Sequence, residues 1–191
     1  MAKKRVGVLI SGNGSNLQAL IDACKSPDYP AEITAVISNK SDAYGLNRAA
    51  EAGIPSHVVP HKEYATREAF DEEMDGLLAH HSVEIVCLAG FMRLLSPWFV
   101  KKWQGRLLNI HPSLLPAFKG AHAVRDALAA GAKESGCTVH LVTDELDSGP
   151  MIAQARVPVL PGDTEESLHK RIHAEEHRIY PAALKKLIEG E

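Results

Sequence analysis

Asn109 and His111 stand two residues apart in the run Arg106-Leu-Leu-Asn-Ile-His-Pro-Ser-Leu-Leu-Pro116. The apolar residues before them predict a strand. There i and i+2 share a face, so amide and imidazole project together while Ile110 points away. Pro112 has no N–H to offer a sheet ladder, so pairing should fail where His111 emerges. No hydroxyl or thiol partner for a covalent triad is evident. An amide donor beside an imidazole suits a different task. It can stabilise an oxyanion while a proton passes between a nucleophile and a leaving group, both supplied by substrates.

A second cluster is Gly12-Asn13-Gly14-Ser15-Asn16, between a predicted strand and a predicted helix. Glycines let the backbone approach a ligand, and a helix N-terminus offers free N–H groups and positive dipole to an anion. Leu17 stands where a dinucleotide fingerprint needs its third glycine, and no P-loop lysine follows. A single phosphate monoester fits better; the plainer alternative is a tight turn with a serine N-cap. A third cluster, Thr143-Asp-Glu-Leu-Asp-Ser-Gly-Pro150, offers Asp144, Glu145 and Asp147. A carboxylate beside an imidazole stabilises its charged form and fixes its tautomer, although a solvated loop has the same composition. A fourth, His173-Ala-Glu-Glu-His177 with His169 a turn earlier, matches an HxxEH zinc pattern. A solvated helix face is the commoner source of such spacing, and no metal is expected.

The elements that must position these groups are legible from periodicity and breakers. Strands are predicted at residues 5–10, 31–38, 56–59, 84–89, 107–110, 136–142 and 151–159. Helices are predicted at 15–24, 44–52, 65–81 with Thr66 as N-cap, 122–130, and 164–188, the last kinked or interrupted by Pro181. Apolar strands alternating with helices mean an α/β fold: an open, mostly parallel twisted sheet with helices on both faces, mixed toward the C-terminal strands. One domain over 1–191 is expected, with a phosphate-binding half at about 1–100, a catalytic half at about 85–160 and the last helix.

A net charge of −3 gives no excess for nucleic acid or an anionic membrane, and no apolar run is long enough to span a bilayer. Three dispersed cysteines without a CxxC read as reduced thiols in a cytoplasmic protein.

Four stretches together resemble the phosphoribosylglycinamide formyltransferase family of folate-dependent formyltransferases. They are Val8-Leu-Ile-Ser-Gly-Asn-Gly-Ser-Asn-Leu-Gln18, Ala89-Gly-Phe-Met-Arg-Leu-Leu-Ser96, Leu108-Asn-Ile-His-Pro-Ser-Leu-Leu-Pro116 and Val142-Thr-Asp-Glu-Leu-Asp-Ser-Gly-Pro150. The resemblance runs from Val6 to about Leu184. It implies formyl transfer from 10-formyltetrahydrofolate, as co-substrate, to the amine of phosphoribosylglycinamide in purine synthesis, without a covalent enzyme intermediate. It implies Asn109, His111 and Asp147 as the catalytic group. Gly12 to Asn16 would hold the phosphate and Glu176 the ribose. Arg67, Met92, Arg93, Leu94, Leu95, Asn109 and Thr143, Asp144, Glu145, Leu146 and Asp147 would line the folate pocket. Partners would be small molecules, with the chain a monomer or homodimer.

The nearest alternative is a 10-formyltetrahydrofolate hydrolase, whose extra N-terminal domain is not expected here because the first strand starts at Arg5. A transfer-RNA formyltransferase should carry a further basic domain. A non-catalytic nucleotide-binding module would bind a dinucleotide indifferently to Asn109 and His111. A zinc peptidase would carry stoichiometric metal.

Overall fold

A computed structural model describes residues 2–190. Seven strands form one sheet in the order β3-β2-β1-β4-β5-β6-β7. They are β1 (Lys4–Ile10), β2 (Ala31–Ser38), β3 (Ser56–Val58), β4 (Ile85–Leu88), β5 (Leu107–His111), β6 (Glu134–Leu141) and β7 (Met151–Pro158). The first five are mutually parallel; β6 and β7 are antiparallel to their neighbours. The expected mixed α/β sheet is therefore the observed one. The helices are α1 (Ser15–Cys24), α2 (Gly45–Glu51), α3 (Arg67–His80), α4 (Pro97–Lys102), α5 (Ala123–Ala129) and α6 (Glu165–Glu189), with a single 3-10 turn at His61–Glu63.

Strand alternation sorts the core into two layers. Val6, Val8 and Ile10 of β1 face one apolar cluster, with Leu17, Leu20, Leu168 and Tyr180 of α1 and α6. Leu9 faces the other, with Phe70, Met74 and Leu78 of α3 and Phe99 of α4. Gly7 belongs to that second face, where an added Cβ would lie 2.6 Å from Leu78 Cδ2. Its bare backbone lets α3 close on the sheet.

The same alternation runs through β5. Leu108 and Ile110 pack into the α1–α6 layer, while Leu107 packs into the α3–α4 layer on the face shared by Asn109 and His111. In β6, Cys137 and Val139 go to the α1–α6 layer, leaving Thr138 and His140 on the other face. Among the described residues, no β6 or β7 residue is a buried member of the α3–α4 cluster. One sheet face thus passes from an apolar core to a polar floor between β4 and β6.

Besides end shifts of one or two residues in other elements, such as α3 starting at Arg67, three observations differ from the sequence expectations. α4 was not foreseen; Ser96 caps it by accepting from Phe99 N at 3.3 Å, and Pro97 occupies its first turn. Ser96 N donates to Asp71 Oδ2 at 2.6 Å, and Trp103 Nε1 to Asp75 Oδ1 at 2.9 Å, which fixes α4 on α3. The sixth strand begins at Glu134, two residues early. Pro181 does not interrupt α6, which is continuous from Glu165 to Glu189. A proline inside a helix costs about 3 kcal/mol. Leu168, Ile172, Ile179, Tyr180 and Leu184 are buried on either side of it, each contributing about 1.5–3 kcal/mol, so packing prevails.

Candidate active site

β5 ends at His111 as Pro112 requires, and its last residues pair with β6: Asn109 opposite His140, His111 opposite Thr138. Directly opposed residues share a face, so four polar side chains collect on one floor. The loop joining β6 to β7 folds back over them and brings Asp147, itself at φ +50°, onto the floor. Asp147 Oδ2 lies 3.6 Å from His111 Nδ1 and Oδ1 lies 3.9 Å from His140 Nε2; all three side chains are buried. Gly120 N donates to Asp147 Oδ2 at 2.9 Å. Of the three carboxylates the sequence offers in this loop, Asp147 is the one brought to the histidines.

Hydrogen-bond accounting fixes what each ring can do. His111 Nε2 donates to the Phe118 carbonyl at 2.8 Å, so its other nitrogen faces Asp147. His140 Nδ1 donates to the Leu141 carbonyl at 3.1 Å, which leaves Nε2 as the acceptor of its neutral form. Burial holds the His140 pKa below the ordinary value, against the opposing pull of Leu141 and Asp147. Asn109 Nδ2 is 3.5 Å from that Nε2. One amide hydrogen is thereby directed at His140, and the second is free to meet a ligand.

The floor opens into a cleft of about 350 Å³ lined by Arg67, Leu88, Phe91, Arg93, Leu94, Leu95, Pro97, Val100, Asn109, His140, Val142, Thr143, Asp144, Glu145, Leu146 and Asp147. Every residue expected in the folate pocket is there except Met92, whose side chain is 71% exposed. What Met92 contributes is its backbone N–H, donated to Ser11 Oγ at 2.8 Å. His111 does not line the cleft; Asp147 stands between. The wall is mostly apolar, with Arg67 and Arg93 as its cationic members. The apolar part suits a flat ring, and Arg67 and Arg93 suit an anionic group, on a wall that also carries Asp144, Glu145 and Asp147.

The glycine-rich turn lies at the neighbouring strand end, where β1 feeds α1. The N-cap is Gly14, at φ +77°, rather than Ser15, and no side chain caps the helix. Its first N–H groups are left for a ligand. A Cβ at Gly14 would sit 2.7 Å from Gly45 Cα, so only glycine permits both the left-handed turn and the contact with α2. Arg48 of α2 holds Asn13, donating to its carbonyl at 2.9 Å and to Oδ1 at 2.7 Å.

α6 meets this turn. Glu176 is buried, and burial pushes its carboxyl up to about 7, opposed by a hydrogen bond from the Asn16 side chain. Asn16 Oδ1 and His177 Nε2 are both buried without a hydrogen-bond partner. Buried polar atoms are rarely left so, and Asn16 stands in the first turn of the uncapped helix, where a polar ligand can meet it. The three histidines of the series lie side by side along α6, half-buried rather than fully solvated: ring centroids of His169 and His173 are 4.1 Å apart with the rings tilted, and those of His173 and His177 are 6.1 Å apart with the rings near-parallel. Burial and its two neighbours lower the His173 pKa to about 4. Among the described residues, no three His, Cys, Asp or Glu side chains are arranged to hold a metal. Among the described residues, no helix is long and apolar enough to cross a membrane.

Sequence reasoning missed His140, Phe91, Leu88, Pro97, Val100 and Val142. The signal for His140 was present: Thr138 and His140 are two apart in a predicted strand, as are Asn109 and His111.

The family described as formyl transferase matches residues 4–184. The trifunctional purine biosynthetic protein adenosine-3 of Chironomus tentans is 58% identical over 190 residues, 98% of this chain and 14% of that protein. The chain spans only about 14–19% of the trifunctional relatives it matches. The phosphoribosylglycinamide formyltransferase of Escherichia coli (strain K12) is 52% identical over 183 residues, 96% of this chain and 86% of that protein. The crystal structure of glycinamide ribonucleotide transformylase 1 from Symbiobacterium toebii superposes with a TM-score of 0.96 at 51% identity, covering 98% of this chain and 89% of that one.

Proposed function

The chain belongs to the formyl transferase family, and on that premise we propose that it moves the formyl group of 10-formyltetrahydrofolate to the amine of phosphoribosylglycinamide in purine biosynthesis. The observation that carries this reading is the adjacency of two unlike sites. An uncapped helix start with orphaned buried polar atoms opens beside an apolar cleft whose floor carries Asn109 and Asp147. One suits a sugar phosphate and the other a pteridine.

In this reading Gly12 to Asn16 hold the phosphate through backbone N–H groups, and Glu176 accepts from the ribose hydroxyls. Arg67 and Arg93 meet the carboxylate tail of the folate, while Leu94, Leu95, Leu146 and the backbone from Thr143 to Asp147 enclose its ring. As the substrate amine adds to the formyl carbon, negative charge gathers on the formyl oxygen. The free amide hydrogen of Asn109 is directed to that oxygen, and His140 keeps the amide oriented. His111 stands behind Asp147, where its charged form would offset the carboxylate and help hold the developing oxyanion. The amine must shed a proton and the folate nitrogen must gain one. Because His111 Nε2–H is engaged by Phe118, that proton passes by way of Asp147, the member of the pair that lines the cleft. No covalent bond to the protein is formed, and each step uses groups of the protein and its two substrates.

Transfer is tested by following loss of formyl from 10-formyltetrahydrofolate with and without phosphoribosylglycinamide. Consumption that depends on the amine and yields formylated product is expected. Equal consumption without the amine would refute transfer and indicate hydrolysis.

A further inference from the structure

We propose that Ser11 is a positioning residue that couples the two substrate sites, its hydroxyl tying the glycine-rich turn to the wall of the apolar cleft. The inference rests on the assignment of those sites above and adds a physical connection between them.

Ser11 follows the last residue of β1 and precedes Gly12, and it is 4% exposed. A hydroxyl has one hydrogen and two lone pairs. The hydrogen goes to Asn39 Oδ1 at 2.5 Å, and a lone pair accepts from Met92 N at 2.8 Å. Met92 lies between Phe91 and Arg93, both in the cleft wall. Asn39, 3% exposed, turns its amide nitrogen to His61 Nδ1 at 3.2 Å. This order is self-consistent. Burial, Arg93 and Lys62 favour neutral His61 against the pull of the Asn39 backbone, and the tautomer protonated at Nε2 offers Nδ1 as acceptor. A reversed Asn39 amide would turn a donor on Ser11, whose hydroxyl hydrogen would then lack its acceptor.

A second path leads the same way. His61 meets Phe70 edge-on at 6.4 Å, and Phe70 is parallel to Phe91 at 6.4 Å between centroids. From Ser11, then, both a backbone amide and an aromatic series reach the cleft wall. On its other side Ser11 is continuous with a well-fastened turn: Gly45 N donates to the Gly12 carbonyl at 3.0 Å, and Arg48 holds Asn13. A phosphate bound at this turn and a ligand against the wall therefore load opposite ends of one hydrogen-bonded connection, so each changes the binding free energy of the other.

The test uses folic acid for the cleft and ribose 5-phosphate for the turn, since ribose 5-phosphate lacks the arm that would reach the formyl position. Folic acid is titrated by calorimetry with and without saturating ribose 5-phosphate. In the wild type the sugar phosphate is expected to lower the folic acid Kd at least about fivefold, the lower end of ordinary couplings, and reciprocity requires the same factor in reverse. In Ser11→Ala the ratio should fall below about twofold, while each ligand alone binds within about threefold of wild type. Asn39→Ala keeps the Met92 bond but frees the hydroxyl hydrogen, and should lose at least half of the coupling ratio. It carries the test if circular dichroism shows that Ser11→Ala has not folded. An unchanged ratio in the folded variant, or no coupling in the wild type, overturns the proposal. Failure of the wild type to bind either ligand alone would overturn the site assignment, and the coupling with it.

Discussion

Replacing Glu176 by Gln separates the cost of this buried carboxyl from its use. Burial raises its pKa from 4.5 to about 7, so the folded state holds the proton more tightly than the unfolded chain does. The stability associated with the neutral form is fully present below about pH 4.5 and is lost as pH rises through 7. The gap corresponds to about 3 kcal/mol between the two limits. Gln cannot ionise, so the variant avoids this cost. For a chain of this size, about 3 kcal/mol is roughly 6–12 °C in Tm. Thermal melts of both proteins between pH 5 and pH 9 should diverge progressively, with the variant gaining up to that amount at the alkaline end. Ligand binding should show the opposite. In the proposed site the ribose hydroxyls would donate to the ionised carboxylate, so wild-type KM for the phosphoribosyl substrate should rise below pH 7, while the variant binds weakly at every pH. Melting curves that stay parallel across the whole range would refute the argument, because the carboxyl would then titrate alike in folded and unfolded chains.

Gly14→Ala forces a left-handed residue to carry a Cβ 2.7 Å from Gly45 Cα. About 2 kcal/mol of destabilisation is expected, roughly 4–8 °C in Tm, together with at least about tenfold weaker ribose 5-phosphate binding; a normal melt with normal binding would contradict the turn assignment. Arg67→Ala should raise KM for the folate substrate by up to about fivefold with kcat unchanged, since an exposed charge contact is worth at most about 1 kcal/mol. Added salt should shrink the difference, and a fall in kcat instead would place Arg67 nearer the reacting atoms.

Four of the first five strands are legible as short, largely apolar runs bounded by glycine, proline or polar residues; β3, Ser-His-Val, is legible by its position after Pro55. Their parallel order follows from the helices between them. α4 was missed because its apolar run, Trp98 to Val100, shows no period long enough to name. The Ser96-Pro97 cap was the local evidence for it. Pro181 misled in the opposite direction: a local rule was outweighed by burial that only the assembled helix displays. For the site, the strand period located Asn109 and His111 on one face, and loop composition supplied three carboxylates without choosing among them. Asp147 is singled out by a backbone turn at positive φ, which composition does not encode. By spacing alone Glu176 reads as an ordinary helix-face acid; the family resemblance marks it, and its burial appears only when α6 is packed.

The central claim is that Asn109 supplies the hydrogen bond on which formyl transfer depends. The direct measurement is the steady-state assay of 10-formyltetrahydrofolate with phosphoribosylglycinamide, on wild type and Asn109→Ala. Loss of one oxyanion donor costs about 10²–10³ in turnover, so kcat should fall by at least that range while both KM values change much less. Turnover near the wild-type rate would contradict the account.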